Sequence, residues 1–355
     1  MDEDPVWARL RRADYVTRLR PLLPARAFRP NARAYVPITI HVVIIICAWI
    51  ACHYSNRLWW PLITVVIGNS MSCLAILAHD VSHRSVTRNR HLLYPTELVL
   101  FGLILLPPTL WRRLHAMHHA HLNTSQDPER RYLASELSLT GTIVAAALYP
   151  NKPLRFNPLC LLYWVAYPIR HGIAALLYRE RNKPDFVTAK PRYSAEDKRW
   201  IAFEILWIAT LQIGLATFVG KVGLIAVSVL PLCITSAVLS WYFFVTHGLK
   251  PIAEGDDTLA ASTSLILPAL CDKLHSNFSY HTEHHLFPAV HPIYYPAVSA
   301  LLHTHFPHRY HRVPIFQAWS GLLQSPIAAS EAAASDRERA APANSPTSLA
   351  VARSL

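Results

Sequence analysis

Charge is scarce in this chain. Asp, Glu, Lys and Arg make up 16% of its 355 residues, against about 25% in an ordinary soluble domain. Apolar residues fill 52% of the chain and come in long blocks, not in alternating or amphipathic patterns. Together these features point to a membrane protein. Paired cysteines are lacking too. Cys47, Cys52, Cys73, Cys160, Cys233 and Cys271 form no CxxC spacing, and several lie inside apolar blocks. Neither a disulfide framework nor a thiolate metal site is expected. The chain has no zinc-finger spacing, no RNA-binding signature and no basic helix interleaved with aromatics. Nucleic acid is therefore set aside as a partner, although the formal net charge is +12. No apolar core follows the opening MDEDPVWARL, so no secretory leader is read.

Four blocks approach the ~20 apolar residues that a bilayer core demands: residues 36–54, 59–78, 200–219 and 222–246. Short connections, the second one Gly220-Lys221, predict two helical hairpins. The stretch Leu92 to Trp111 contains Pro95, Pro107 and Pro108 and is read as a re-entrant or interfacial helix. Residues 134–149 and 158–178 are apolar but broken by prolines, and are placed along the membrane surface. Residues 1–35 read as a basic cytoplasmic arm on that surface, 36–325 as the membrane domain, and the Ala/Ser/Pro-rich 326–355 as a disordered tail. With four spans the outer loops hold only Arg57 and Lys221 of 34 basic residues. Both termini are then expected in the cytoplasm. A six-span reading that lets 134–149 and 158–178 cross keeps the termini on the same side.

Twenty histidines are present, and three clusters stand out: His79-x3-His83, His115-x2-His118-His119 and His281-x2-His284-His285. On a helix, residues three and four apart share a face. His79 and His83 lie about 40° apart, and the rings of each HxxHH set span an arc of roughly 100°. Each cluster can thus aim its imidazoles at one point. The first follows the second span, the second the re-entrant stretch and the third the fourth span, all on the side assigned to the cytoplasm. Eight imidazoles exceed what one ion needs, so two first-row transition metals are expected, with iron, copper, zinc and nickel all open. His247 ends the fourth block in FFVTHG and is the ninth candidate. His121 and His275 stand near clusters and are candidates to orient the ligands, as are Asp80 and Glu283 inside them. The isolated His41, His53 and His91 are assigned to interface or polar packing, and His291, His303, His305, His308 and His311 to the surface.

The segments HDVSH, LHAMHHAHLNTSQDPE and NFSYHTEHHLFP resemble the three histidine boxes of the membrane fatty acid desaturase family, over roughly residues 35–320. This family is part of a superfamily of di-iron desaturases, hydroxylases and ketolases. The Leu286-Phe287-Pro288 continuation and the later PAVHPIYYPAVSALLHTHFPHRYHRVPIFQAW also look like acyl desaturases. The resemblance implies an all-α membrane protein with four spanning helices and a cytosolic helical cap. It implies two iron ions held by His79, His83, His115, His118, His119, His247, His281, His284 and His285, with no catalytic residue beyond these ligands. The H-x3-H first box departs from stearoyl-CoA-type H-x4-H and leans toward acyl-lipid, ketolase or hydroxylase branches. Phe243 stands where some relatives carry a water-linked Asn.

The chemistry implied is O2-dependent oxidation of an unactivated C–H bond, which side-chain acid–base work cannot achieve. Removal of two hydrogens gives an acyl double bond. The acyl group would ride on a lipid, coenzyme A or carrier protein, and electrons would come from an external donor of ferredoxin or cytochrome b5 type. Arg84, Arg88, Arg112 and Arg113 flank the first two boxes and either anchor the membrane side or meet an acidic group. Two other readings stand beside the desaturase. One is a carotenoid ketolase or hydroxylase, or a lipid hydroxylase, of the same superfamily. The other is a membrane metal transporter. Transporters set ionisable groups near the bilayer midplane, whereas here only His41 lies well inside a span.

Overall fold

The computed structural model describes residues 10–130, 139–150, 157–177, 193–250, 252 and 256–325. Its long helices follow the apolar blocks, because in a lipid environment a helix satisfies its own backbone polar groups. After a short helix α1, Arg12–Leu19, come α2, Tyr35–Tyr54, and α3, Trp60–Ser82. Asn56 opens the turn between α2 and α3 by accepting from the Leu58 backbone N–H. The helix α8, Ala195–Leu224, starts five residues before the expected position 200 because Ser194 and Asp197 form a capping box. Gly220 breaks it at φ 77°, a conformation open to glycine. Past Lys221 the chain turns helical again and reaches α9, Leu230–His247.

Among the described residues, four helical stretches are long and apolar enough to cross a membrane: Ala32–Tyr54, Arg57–Ser82, Pro158–Leu177 and Ala195–His247. The protein is an all-α membrane protein, and its lipid-facing side is evident. Val36, Ile40, Val43 and Ile50 of α2 and Phe203, Leu206 and Ile213 of α8 all stand exposed. In the core α3 packs against α2 and α9. A Cβ on Gly68 would come within 2.8 Å of the Ile234 side chain, so glycine permits the close crossing of α3 and α9. Thr64 donates to the Ala226 carbonyl (2.7 Å) and Thr235 to that of Gly68 (3.2 Å) across the same contact. At one end His53 donates to the Phe218 carbonyl (2.7 Å) and stacks on its ring. The histidine-bearing ends of α3 and α9 lie at the other.

The proline-broken stretch after the first box forms two helices, α4, Arg90–Leu103, and α5, Pro108–Ala120, which meet at 97°. Trp111 belongs to α5 and not to the end of the first element, because Pro107-Pro108 ends one helix and begins the next. Helix α6, Leu139–Leu148, is short. Helix α7, Tyr163–Leu177, extends a turn at Pro158–Leu162. Together these reach the length of a span, because Pro168 sits inside α7 without ending it.

Beyond α9 the chain builds small elements: α10, Thr258–Ala261; β1, Ser264–Ile266; α11, Ala269–Leu274; and α12, His281–Leu286. These are followed by α13, Tyr295–His305; β2, Arg312–Pro314; and α14, Ile315–Leu323. The strands β1 and β2 pair in parallel, a minor departure from all-α. The basic N-terminal segment was read as an arm on the membrane surface. Its described part packs on these elements. Tyr15, Leu19, Leu23 and Ala27 share a core with Phe287, Val298 and Phe306, and Tyr15 donates to Asp257 (3.0 Å). Residues 1–9 and the tail 326–355 lie outside the described residues.

One buried carboxylate fixes the start of α5. Glu204 on α8 is 0% exposed. It accepts from the Thr109 backbone N–H (2.9 Å), the Thr109 hydroxyl (2.6 Å) and the Tyr94 hydroxyl (3.1 Å). Glu204→Leu strands these donors and is expected to cost about 2–4 kcal/mol of stability. The measurement is the thermal midpoint of the detergent-solubilised protein, and a midpoint unchanged from wild type would refute this role.

Candidate metal centre

Four chain segments bring nine imidazoles together. The last turn of α3 carries His79 and, just past it, His83; α5 carries His115, His118 and His119; α9 ends in His247; and α12 carries His281, His284 and His285. The rings form two groups. His79, His83, His115, His119 and His284 make one, and His118, His247, His281 and His285 the other. Within each group one ring nitrogen per residue lies within 4.8 Å of the rest. All nine candidates are therefore brought together, but the HxxHH clusters do not each converge on one point. In α5 the i, i+4 pair His115 and His119 enters the first group and His118 the second. In α12 the pair His281 and His285 enters the second group and His284 the first. The cause is geometric: residues i and i+4 differ by about 40°, while i+3 lies about 60° to the other side.

The donor set fits metal ions. The Nε2 atoms of His83 and His115 are 2.9 Å apart, those of His115 and His119 3.1 Å, and those of His119 and His284 3.1 Å. In the second group the His247–His281 and His281–His285 pairs stand at 2.6 and 3.1 Å. With metal–nitrogen bonds of about 2.1 Å, neighbouring ligands at right angles fall about 3 Å apart. Burial holds the His281, His284 and His285 imidazoles well below their ordinary pKa. They are thus neutral, as ligands must be.

Ring orientation is set from behind. His118 donates from Nδ1 to both carboxylate oxygens of Asp127 (2.9 Å each). Asp127 is itself held by the backbone N–H groups of Asn123 (2.7 Å) and Glu129 (2.8 Å). His284 donates from Nδ1 to the Tyr295 hydroxyl (3.0 Å). Both arrangements leave Nε2 for the centre. Of the four orienting candidates, Asp80 lies 3.4 Å from His79 Nδ1 and accepts from Ser276 (3.0 Å). Glu283 bonds no imidazole; buried, it accepts from the Ser264 and Tyr310 hydroxyls and ties α12 to its neighbours. His275 pairs with the Tyr242 hydroxyl (2.7 Å), one layer out behind Phe278, and His121 only closes α5. Asp127 lay within the second box segment, where an acidic residue in the turn after a histidine helix is the usable signal. Tyr295 carried none. Arg112 and Arg113 are committed to Glu97 (2.9 Å) and Asp197 (2.8 Å).

An apolar cavity runs from the histidines between α3, α4 and α9. Its wall includes Ala75, Ile76, Phe101, Ile104, Leu106, Leu232, Leu239 and Phe243. His79 and His115 of one group and His118, His247 and His281 of the other also face it. Trp111 stacks on His115 (ring centroids 4.5 Å apart) and Phe278 packs edge-on against His79 and His281, which keeps the mouth of the site apolar.

A membrane helical fold whose apolar cavity ends on paired histidine groups defines a membrane enzyme of the histidine-box class. The fatty acid desaturase family model matches residues 55–319, more than half of the chain, and the chain belongs to that family. It is similar to an omega-3 fatty acid desaturase, chloroplastic, of Brassica napus, 25% identical over 303 residues, covering 77% of this chain and 68% of the relative. A sn-2 acyl-lipid omega-3 desaturase (ferredoxin), chloroplastic, of Helianthus annuus is 25% identical over 289 residues. That match covers 77% of this chain but only 62% of the relative's length. A sn-1 acyl-lipid omega-3 desaturase (ferredoxin) of Synechocystis is 25% identical over 328 residues, 85% of this chain and 84% of the relative.

Proposed function

We propose that the protein is an O2-dependent di-iron desaturase that introduces a double bond into an acyl chain. Electrons would come from an external carrier such as a ferredoxin, the donor printed in the names of two relatives. The observation that carries this reading is the apolar cavity with both histidine groups in its wall. A linear hydrocarbon in that cavity would pass His79 and His115 on one side and His118, His247 and His281 on the other.

In this reading His79, His83, His115, His119 and His284 hold one iron, and His118, His247, His281 and His285 the other. Iron with O2 and two electrons supplies the oxidation of the C–H bond, which no side chain here can perform. The chain's own residues do the rest. Apolar walls from α3, α4 and α9 hold adjacent methylenes in register and exclude water. Asp127 and Tyr295 fix two rings in the tautomer that presents Nε2, and Asp80 stands behind a third.

The four spans are 36–54, 59–78, 200–219 and 222–246, paired as two hairpins, with the elements after His247 forming a cytosolic cap. The end that carries Arg57 and Lys221 lies outside, and the arginine-rich segments 11–33 and 84–90 lie inside with the site. Asp80, Glu283, His121 and His275 contribute unequally. Asp80 supports a ligand and Glu283 supports the helix of ligands.

Purified protein is expected to hold about two irons per chain by elemental mass spectrometry. His118→Ala and His284→Ala, one from each group, are each expected to lower that content and abolish activity. Either variant retaining two irons and full activity would sink the ligand assignment.

Expressed in a bacterium that supplies a ferredoxin and its reductase, the protein is expected to yield acyl chains lighter by two hydrogens, absent from a His284→Ala control. Chains heavier by one oxygen would instead make it a hydroxylase. Unchanged lipids from iron-loaded protein would count against an acyl substrate and call for carotenoids to be assayed.

A further inference from the structure

The aromatic rings packed on the two histidine groups differ in one chemical property. Phe278 meets His79 and His281, and Phe243 meets His247, with ring centroids 5.5, 5.7 and 6.0 Å apart. Phenylalanine resists one-electron oxidation. Trp111, stacked on His115 at 4.5 Å, does not, because indole and phenol are the most easily oxidised aromatic side chains. Its ring stands 6.3 Å from that of Tyr167 on α7, and Trp164 closes the triangle at 5.9 Å from Trp111 and 4.9 Å from Tyr167. Packing alone does not ask for these residue types. The indole nitrogens of Trp111 and Trp164 are buried without a hydrogen-bond partner among the described residues, an unfavourable state that phenylalanine would avoid.

Tyr167 is equipped differently. It is 2% exposed, and its hydroxyl donates to the Glu129 carboxylate (2.9 Å), which stands in the wall of the apolar cavity. A phenol that loses an electron becomes strongly acidic and settles as a neutral radical only where a base accepts its proton. Glu129 is that base. The two indoles have no such acceptor, so a hole placed on either moves on to Tyr167. Tyr295, the other oxidisable ring at the site, packs on His284 and on no further aromatic ring among the described residues.

We infer that Trp111 and Tyr167 form a one-electron relay that draws oxidising equivalents from the metal centre and holds them as a radical on Tyr167. This rests on the proposed iron and O2 chemistry for its oxidant. In the first step the oxidised iron pair takes one electron from Trp111 through the His115 stack, and the indole becomes a cation radical. In the second, Tyr167 gives one electron to Trp111 and passes its phenolic proton to the Glu129 carboxylate. The net change is one electron gained by the irons, a neutral radical on Tyr167 and a protonated Glu129. One electron from the external carrier and return of the proton restore the resting state. The relay acts when O2 reacts with no chain in the cavity, and it spares the imidazole ligands from oxidation.

The test uses the full chain in detergent, iron-loaded and chemically reduced, mixed with O2 without an acyl substrate and freeze-quenched for electron paramagnetic resonance. A tyrosyl radical is expected, identified in wild type by the narrowing of its spectrum when the tyrosines are ring-deuterated. Tyr167→Phe keeps the ring and is expected to lose that signal and leave a tryptophanyl one. Trp111→Phe keeps a ring on His115 and is expected to lose both, with elemental analysis checking that each variant still holds iron. Peptide mass spectrometry of wild type after repeated O2 cycles needs no variant and should find oxidised Trp111 and Tyr167. No organic radical from the iron-loaded protein, or one unchanged in Tyr167→Phe, would overturn the relay, as would oxidation confined to Tyr295 or to the ligand histidines. A protein that desaturates lipid without forming the radical loses the relay and keeps its activity. One that forms the radical and leaves lipids unchanged keeps the relay and loses its acyl substrate.

Discussion

Everything in this molecule is arranged around the need to hold nine imidazoles with their lone pairs converging, in a place where water cannot satisfy them. Five of the nine, His115, His119, His247, His281 and His285, have a buried Nδ1 without a partner among the described residues. Buried polar atoms in that state are unfavourable by about 1–3 kcal/mol each. The arrangement makes sense when the rings gain more from a cation than they lose from desolvation. The burial that makes it costly also holds the His281, His284 and His285 imidazoles well below their ordinary pKa, in the neutral form that can bind metal. A site of this kind needs a rigid scaffold, because imidazoles free to relax would turn away from one another.

The scaffold meets this requirement by placing helix ends, not helix middles, at the site. Helices α3 and α9 cross closely at Gly68 and end together, which brings His79, His83 and His247 to one level. Helix α5 starts where Glu204 of α8 accepts from Thr109, so its last two turns carry His115, His118 and His119 to that level from the side. The same crossing leaves the apolar cavity beneath the histidines. The apolar cavity and the two histidine groups are therefore two products of one packing arrangement, which is why the cavity wall contains rings from both groups.

How much of this was legible in the sequence follows from what each feature depends on. Helical periodicity alone selected the eight clustered histidines, and position at a span end selected His247; all nine stand in the two groups. Their division was not legible. The arc covered by HxxHH is the same whether its rings meet at one centre or two, and only the approach of a second helix decides. Asp127 serves His118 through a turn that depends on the positive φ of Asn123 (52°), and Tyr295 reaches His284 through tertiary packing, so neither shows as a spacing. Hydropathy placed the apolar blocks well. It gave no sign that Pro168 would sit inside a helix, or that Tyr15 and Leu19, set between arginines, would be buried.

The N-terminal segment matters because of the helix it supports. Helix α12 has six residues, far below the ~12–15 at which an isolated helix becomes even marginal in water, yet it carries three of the nine imidazoles, shared between both groups. Its geometry must come from outside. Glu283 anchors it through Ser264 at the start of β1 and through Tyr310 beside β2, so the two-stranded ladder acts as a brace. Arg12 of α1 donates to the Leu286 carbonyl at its end (3.2 Å), and Phe287 joins the core that Tyr15 and Leu19 help to build. The sequence elements that look least like an active site, a basic N-terminal arm and two three-residue strands, are therefore what give the third histidine cluster its aim.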